Sequence, residues 1–141
     1  HLPNIFLSEE TKKTISYLKD KGYVLGLITD GRSIQQRNKI NALELSQWFE
    51  SENIVISEEF GSEKPSERNY RYFMNKIHDA VFFYVGDNLK KDFVSANALG
   101  WTTICLLDDG ENIHKQDFEQ HTIEYLPKHT IKSIAELINL I

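Results

Sequence analysis

At 141 residues, with 40% hydrophobic and 26% charged residues, the chain has the composition of one soluble globular domain with a core of its own. A net charge of −5 gives no electrostatic reason to expect nucleic acid, and the isolated pairs Lys12–Lys13 and Lys90–Lys91 read as solvated surface. No apolar run approaches the ~20 residues needed to span a bilayer, so no membrane partner is expected.

The first helix is expected to open at Ser8, a residue type that caps orphan amides, with Glu9 and Glu10 in its first turn. It would carry Ile15 and Leu18 inward and stop at Gly22. "YVLGLIT" follows, short, apolar and bounded by "DGRS", the pattern of a buried strand. Ser33 is placed to cap the next helix, with Ile34, Ile40 and Leu43 on its apolar face. "NIVIS" (Asn53 to Ser57) is the second strand, and the polar loop "EEFGSEKP" leads to a helix after Pro65. There Tyr70, Phe73, Met74 and Ile77 keep the i, i+3, i+4, i+7 spacing of a core-facing stripe. "AVFFYV" reads as strand, "DFVSANAL" as helix stopped by Gly100, and "WTTICLL" as strand. Beyond that, "IHKQDFEQ" is expected as a short helix and "IEYL" as extended chain. "TIKSIAELINLI" closes as a helix with Ile131, Ile134, Leu137, Ile138 and Ile141 on one side.

Strands alternating with helices call for an α/β layered fold with a mostly parallel sheet, formed by residues 1–141 as a single domain. Right-handed crossovers place the carboxyl ends of the strands on one edge, where ligands of such folds collect. Three polar signals follow strands: Thr29–Asp30–Gly31, the loop with Lys64, and Gly86–Asp87.

Each signal has two readings. Asp87 at a strand end with Asp92 a turn later suits a hard cation such as Mg²⁺, and Gly86 leaves room for a sharp turn. Taken alone, the pair reads more simply as an ordinary turn and a helix cap near Phe93. The Thr29 hydroxyl and the neighbouring amides suit a phosphoryl oxygen, or are simply a strand end and a turn. Lys64 can neutralise an anion or face solvent. Together the three supply a hydroxyl, a cation and an acidic pair on one sheet edge, which is how a phosphate and a metal ion are held.

With those residues in view, the chain resembles the haloacid dehalogenase-like hydrolase superfamily over nearly its whole length. "LGLITDGRS" is similar to the family's second motif, with Thr29; "EKPSERNY" to its third, with Lys64 before Pro65; and "FYVGDNLKKDFVSANALGW" to its fourth, with Asp87 and Asp92. The resemblance implies a Rossmann-like three-layer sandwich and Mg²⁺ as cofactor. It assigns metal binding to Asp87 and Asp92, phosphate binding to Thr29, Asp30, Gly31 and Lys64, and catalytic roles to Thr29 and Lys64. A small phosphorylated metabolite is the implied substrate, hydrolysed through an aspartyl-phosphate.

One part of the family pattern is missing. The first motif, Asp-x-Asp, carries the nucleophile, and no such motif occurs here; "LLDDG" (Leu106 to Gly110) has neither its spacing nor its position. The chain begins at His1 and its only methionine is Met74. The expectation is therefore a cap-less core fragment that lacks its first strand, partners with a missing N-terminal segment, and is inactive in isolation. The alternative is a non-catalytic module of a larger biosynthetic protein, for example one of ATP-grasp type, to which the "GWTTICLLDDGENIHKQDF" tail has a loose likeness. The polar stretch "LDDGENIHKQDF" itself reads as a solvated loop or a surface touching substrate or partner.

Cys105, the single cysteine, excludes an intramolecular disulfide, and a reducing cytoplasm is the expected setting. In an apolar strand its thiol is expected to behave as a small hydrophobe. His78, His114, His121 and His129 show no zinc-binding spacing. Trp48 and Trp101 are expected to cover core surface.

Overall fold

The computed structural model describes residues 5–108 and 116–141. The chain divides into two compact units, His1–Glu63 with Ile138–Ile141 and Lys64–Leu137, each with its own parallel sheet.

In the first unit, α1 (Glu9–Asp20) starts where the Ser8 hydroxyl accepts the Thr11 amide at 3.1 Å, and it buries Thr14 and Leu18. Gly22, at φ 93°, turns the chain out of the helix. β1 (Leu27–Thr29) is shorter than the apolar run that predicts it: Tyr23 and Val24 stay exposed, and among the described residues no strand pairs with them. α2 (Ser33–Ala42) has Arg32 at its N-cap, so Ser33 is its first helical residue and not its cap. Ile40 of α2 is buried, but Ile34 is 76% exposed, against the expected inward face. β2 (Ile54–Ile56) pairs in parallel with β1, setting Thr29 opposite Ile56. α3 (Ser57–Phe60), a single turn inside the expected polar loop, ends at Gly61 in a left-handed conformation. The core joins Ile40, Leu45, Trp48 and Ile56, with Ile15, Leu27 and Leu43 packed against it.

In the second unit, α4 (Glu67–Lys76) is capped by Ser66 and buries Asn69, Tyr70 and Phe73. β3 (Phe83–Gly86), α5 (Val94–Ala98) and β4 (Thr102–Leu106) follow in the expected order. β4 lies between β3 and a fifth strand, β5 (His129–Ile131), and all three run parallel. Tyr70 meets Tyr84 and Trp101 edge-on at 5.2 and 5.4 Å, and Phe82 stacks on Trp101 at 4.7 Å.

The C-terminal expectations change. "IEYL" is not extended; Ile123–Tyr125 is a 3-10 turn. The closing helix is replaced by β5 and a 3-10 segment, Ile134–Asn139. Ile131 therefore enters the core as a strand residue opposite Leu106. Of "IHKQDFEQ", Phe118–Gln120 forms a 3-10 turn, and the earlier part falls largely outside the described residues.

Among the described residues, β1 has β2 as its strand partner and β3 has β4, and no other strand pairs with the second edge of either.

Candidate functional site

Each unit presents candidate residues at a strand end, Thr29–Gly31 at the end of β1 and Asp87 after β3, with Lys64 in the loop before α4. In the first, the Thr29 hydroxyl ends β1 and donates to the Gln36 carboxamide oxygen at 3.0 Å. Gly31 turns the chain at φ 145°, where a side chain is strained, and a Cβ there would lie 2.5 Å from the Gln36 side-chain nitrogen and displace that carboxamide. Ser57 fastens this turn from the end of β2. Its hydroxyl accepts the Gly31 amide at 2.8 Å and donates to the Gly31 carbonyl at 3.2 Å. The Glu58 carboxylate accepts the Ser33 amide at 2.8 Å, and Glu59 takes the Ser33 hydroxyl together with a two-pronged bond from Arg37 at 2.7 and 2.9 Å. The hydrogen bonds from Arg37 and Ser33 hold the Glu59 carboxyl below its usual range, and Glu59 raises Arg37 in return. The orientation of the Asp30–Gly31 turn is thus set by Ser57, Glu58, Glu59 and Gln36, none of which sequence reasoning singled out. The available signal was the Ser-Glu-Glu run directly after an apolar strand.

In the second unit the structure brings Lys64, Asp87 and Asp92 together. Asp92 is buried, and its carboxylate divides its two oxygens. Oδ1 accepts the Lys64 ammonium at 2.7 Å; Oδ2 accepts the amides of Asp87 at 3.0 Å and Asn88 at 2.8 Å. Asp92 is not the cap of α5: the N-cap is Phe93, with no side-chain capping bond, and the Asp92 carboxylate faces amides that precede the helix. Gly86 is required for steric reasons: a Cβ would stand 2.4 Å from Asp92 Oδ2. Lys64 also donates to the Tyr84 hydroxyl at 3.3 Å, and the buried Tyr70 hydroxyl donates to the Asp92 carbonyl at 3.0 Å. Burial holds the Tyr70 hydroxyl firmly in its neutral, donating form. Tyr70 was read as a core residue; that its hydroxyl serves the site was not visible in the spacing.

Among the described residues no three His, Cys, Asp or Glu side chains converge as a metal cage. One or two carboxylates remain, the set Mg²⁺ uses when water and phosphate oxygens complete its shell. Both oxygens of Asp92 are engaged, so Asp92 is the group that holds the Asp87 loop and the lysine in place. Nearby, Cys105 is fully buried and its thiol is pushed up to about 11, first by burial and then by Asp87, Asp92 and Asp108. A neutral buried thiol is a packing group and a poor nucleophile. Among the described residues no helix is long and apolar enough to cross a membrane.

Known proteins give this geometry a context. The family profile of haloacid dehalogenase-like hydrolases matches residues 1–106. The chain is 33% identical over 135 residues to the glyceraldehyde 3-phosphate phosphatase of Methanocaldococcus jannaschii, covering 93% of this chain and 54% of that protein. It is 26% identical over 145 residues to the ribulose-1,5-bisphosphate 5-phosphatase of Halopiger xanaduensis, covering 100% of this chain and 59% of that one. The chain thus spans somewhat more than half the length of the curated relatives it matches. A HAD phosphatase from Thermococcus onnurineus superposes with a TM-score of 0.75 at 23% identity, over 95% of this chain and 57% of that one. A Bacillus subtilis structure, described as a HAD-hydrolase bound to magnesium, gives 0.73 at 22%, over 95% and 55%. These likenesses show the Rossmann-like α/β fold.

Proposed function

The chain belongs to the haloacid dehalogenase-like hydrolase family, and from that premise we propose that it carries phosphoryl- and metal-binding elements of a Mg²⁺-dependent phosphatase of small phosphorylated sugars. The observation that carries the reading is the arrangement of Lys64, Asp92 and the Asp87 loop. A buried carboxylate fixes both a cation and the backbone of a second aspartate, and a plain turn does not need such a group.

Lys64 is the electrostatic element. Held by Asp92 and Tyr84, its ammonium is oriented before any substrate arrives, so little reorganisation is needed when charge builds up on a transferring phosphoryl group. In the first unit, the Thr29 hydroxyl and the backbone amides of the turn after it are the donors for phosphoryl oxygens. Thr29 would exchange its Gln36 acceptor for such an oxygen, a near-neutral trade of one hydrogen bond for another. Asp87 is the residue that would hold Mg²⁺, which when bound neutralises phosphoryl charge. The attacking carboxylate of the aspartyl-phosphate route belongs to an Asp-x-Asp that does not occur in these residues, so the reading places it elsewhere in the protein. A cytoplasmic setting is part of this reading, since a single cysteine suits a reducing compartment.

The test is phosphate release by the protein that carries this chain, with glyceraldehyde 3-phosphate and ribulose 1,5-bisphosphate as first substrates, in Mg²⁺ and in EDTA. Release is expected only with Mg²⁺, and Asp87→Asn should reduce it by about 100-fold or more. Metal-independent release, or full activity in Asp87→Asn, refutes the proposal. Turnover by residues 1–141 alone, lost in Asp87→Ala, would place the nucleophile within the chain.

A further inference from the structure

We propose that Gln116 is a positioning residue for the Asp87 metal ligand, an inference that rests on the metal reading above. Its carboxamide is placed between the loops that follow β3 and β4. Nε2 donates to the Asp87 carbonyl at 2.9 Å and to the Leu106 carbonyl at 2.9 Å, and lies 3.6 Å from Cys105 Sγ. Oε1 accepts the Asp108 amide at 2.9 Å. A carboxamide has two N–H donors, and here each has a main-chain carbonyl of its own.

The consequence falls on Asp87. β3 ends at Gly86, so the peptide groups of Asp87 lie beyond the sheet ladder. The Asp87 amide is fixed by Asp92 Oδ2 and its carbonyl by Gln116. With both peptide groups held, the direction in which the Asp87 side chain leaves the backbone is set before an ion binds. The same carboxamide holds the last residue of β4 and the amide two positions later, so the two strand ends are fixed to each other as well. Gln116 is itself anchored through Phe118, which packs against Leu89, Phe93 and Cys105. Groups that orient a metal ligand without touching the metal change affinity by a factor of 10 or more in other sites.

The experiment is Mn²⁺ titration of the protein that carries this chain, followed by electron paramagnetic resonance, with the thermal midpoint measured in EDTA for every variant. Gln116→Met keeps the length and removes all polar contacts. Gln116→Glu keeps the acceptor for Asp108 but turns a carboxylate toward two carbonyl oxygens. Both should bind Mn²⁺ about tenfold more weakly than wild type, with Glu at least as weak as Met, while the metal-free midpoint stays within a few degrees. Unchanged affinity in Gln116→Met overturns the inference, and so does a loss of affinity that only accompanies unfolding in EDTA. Asp87→Asn separates the two layers. If it abolishes Mn²⁺ binding while Gln116→Met does not weaken it, the positioning role alone fails. If Asp87→Asn binds as tightly as wild type, the metal reading fails and the role of Gln116 with it.

Discussion

The turn after β1 and the turn after β3 are held by opposite means. Around Gly31 the fasteners are neutral or partly exposed: the Ser57 hydroxyl, the Gln36 carboxamide, and an Arg37–Glu59 pair whose side chains are 39% and 32% exposed. Around Asp87 the fastener is a buried ion pair, Lys64 with Asp92, at 13% and 3% exposure, whose carboxylate also takes two backbone amides. Hydrogen bonds to neutral groups near water exchange cheaply, so the first turn is suited to trading partners with an incoming ligand oxygen. A buried pair has no solvent to fall back on, so the second turn is kept in one geometry. The contrast separates adaptable recognition from fixed placement of charge.

The sharpest way to break the contrast is to remove the buried carboxylate. Asp92→Ala deletes the acceptor of Lys64 and of two amides, leaving an ammonium at a 13% exposed position. We expect a loss of about 3–5 kcal/mol in urea unfolding, the range for stripping one partner from a buried pair. Ser57→Ala in the other turn should cost only about 1 kcal/mol. Equal costs for the two variants would mean that burial makes no difference here.

Gly86→Ala comes next. Its new methyl would lie 2.4 Å from Asp92 Oδ2 and 2.9 Å from Asp92 Cβ, and Asp92 cannot swing away without releasing Lys64. Overpacking of this kind costs about 1–3 kcal/mol. The decisive measurement is the double variant. In an Asp92→Ala background part of the Gly86→Ala penalty should vanish, because the carboxylate at 2.4 Å is gone while the Cβ at 2.9 Å remains. Additive penalties would show that the glycine is needed for another reason.

The sequence shows the motifs of these turns more clearly than their supports. Thr29, Lys64, Asp87 and Asp92 were legible because each sits at a recognisable distance from an apolar run. Gln36, Ser57, Tyr84 and Gln116 were not, since a single polar residue carries no period, and its partner is fixed only when the chain folds. The strands were found but drawn too long. Val24 and Val81, at 64% and 78% exposure, belong to apolar runs, yet they lie outside β1 and β3. A strand extends only as far as it has a partner, and a sequence run does not record its partner. The tail failed differently. Ile131, Ile134, Leu137, Ile138 and Ile141 share a helical face on paper, but the edge of β4 captures Ile131 into β5, a tertiary preference that overrides local periodicity.

The smallest predicted effect concerns the exposed pair of the first turn, and pH resolves it. The Glu59 carboxyl lies below its usual range because the folded protein supplies Arg37 and Ser33 as donors to its ionised form. A lowered folded value means that the unfolded chain takes up the proton first as acid is added. The pair's stabilisation is therefore fully present above the unfolded value, near 4.5, and disappears as pH falls through the lower folded one. At about a third exposure, solvent and salt limit the gain to about 0.2–1 kcal/mol. Glu59→Gln should lower the urea midpoint slightly at pH 7, less in high salt, and the difference should close as pH falls through the lowered folded value, where both proteins come to carry a neutral side chain. A difference that persists unchanged at pH 3 would assign the effect to packing of the side chain and not to its charge. The first turn would then owe its orientation to Ser57, Glu58 and Gln36 and to the packing of Glu59, with no part played by the Glu59 charge.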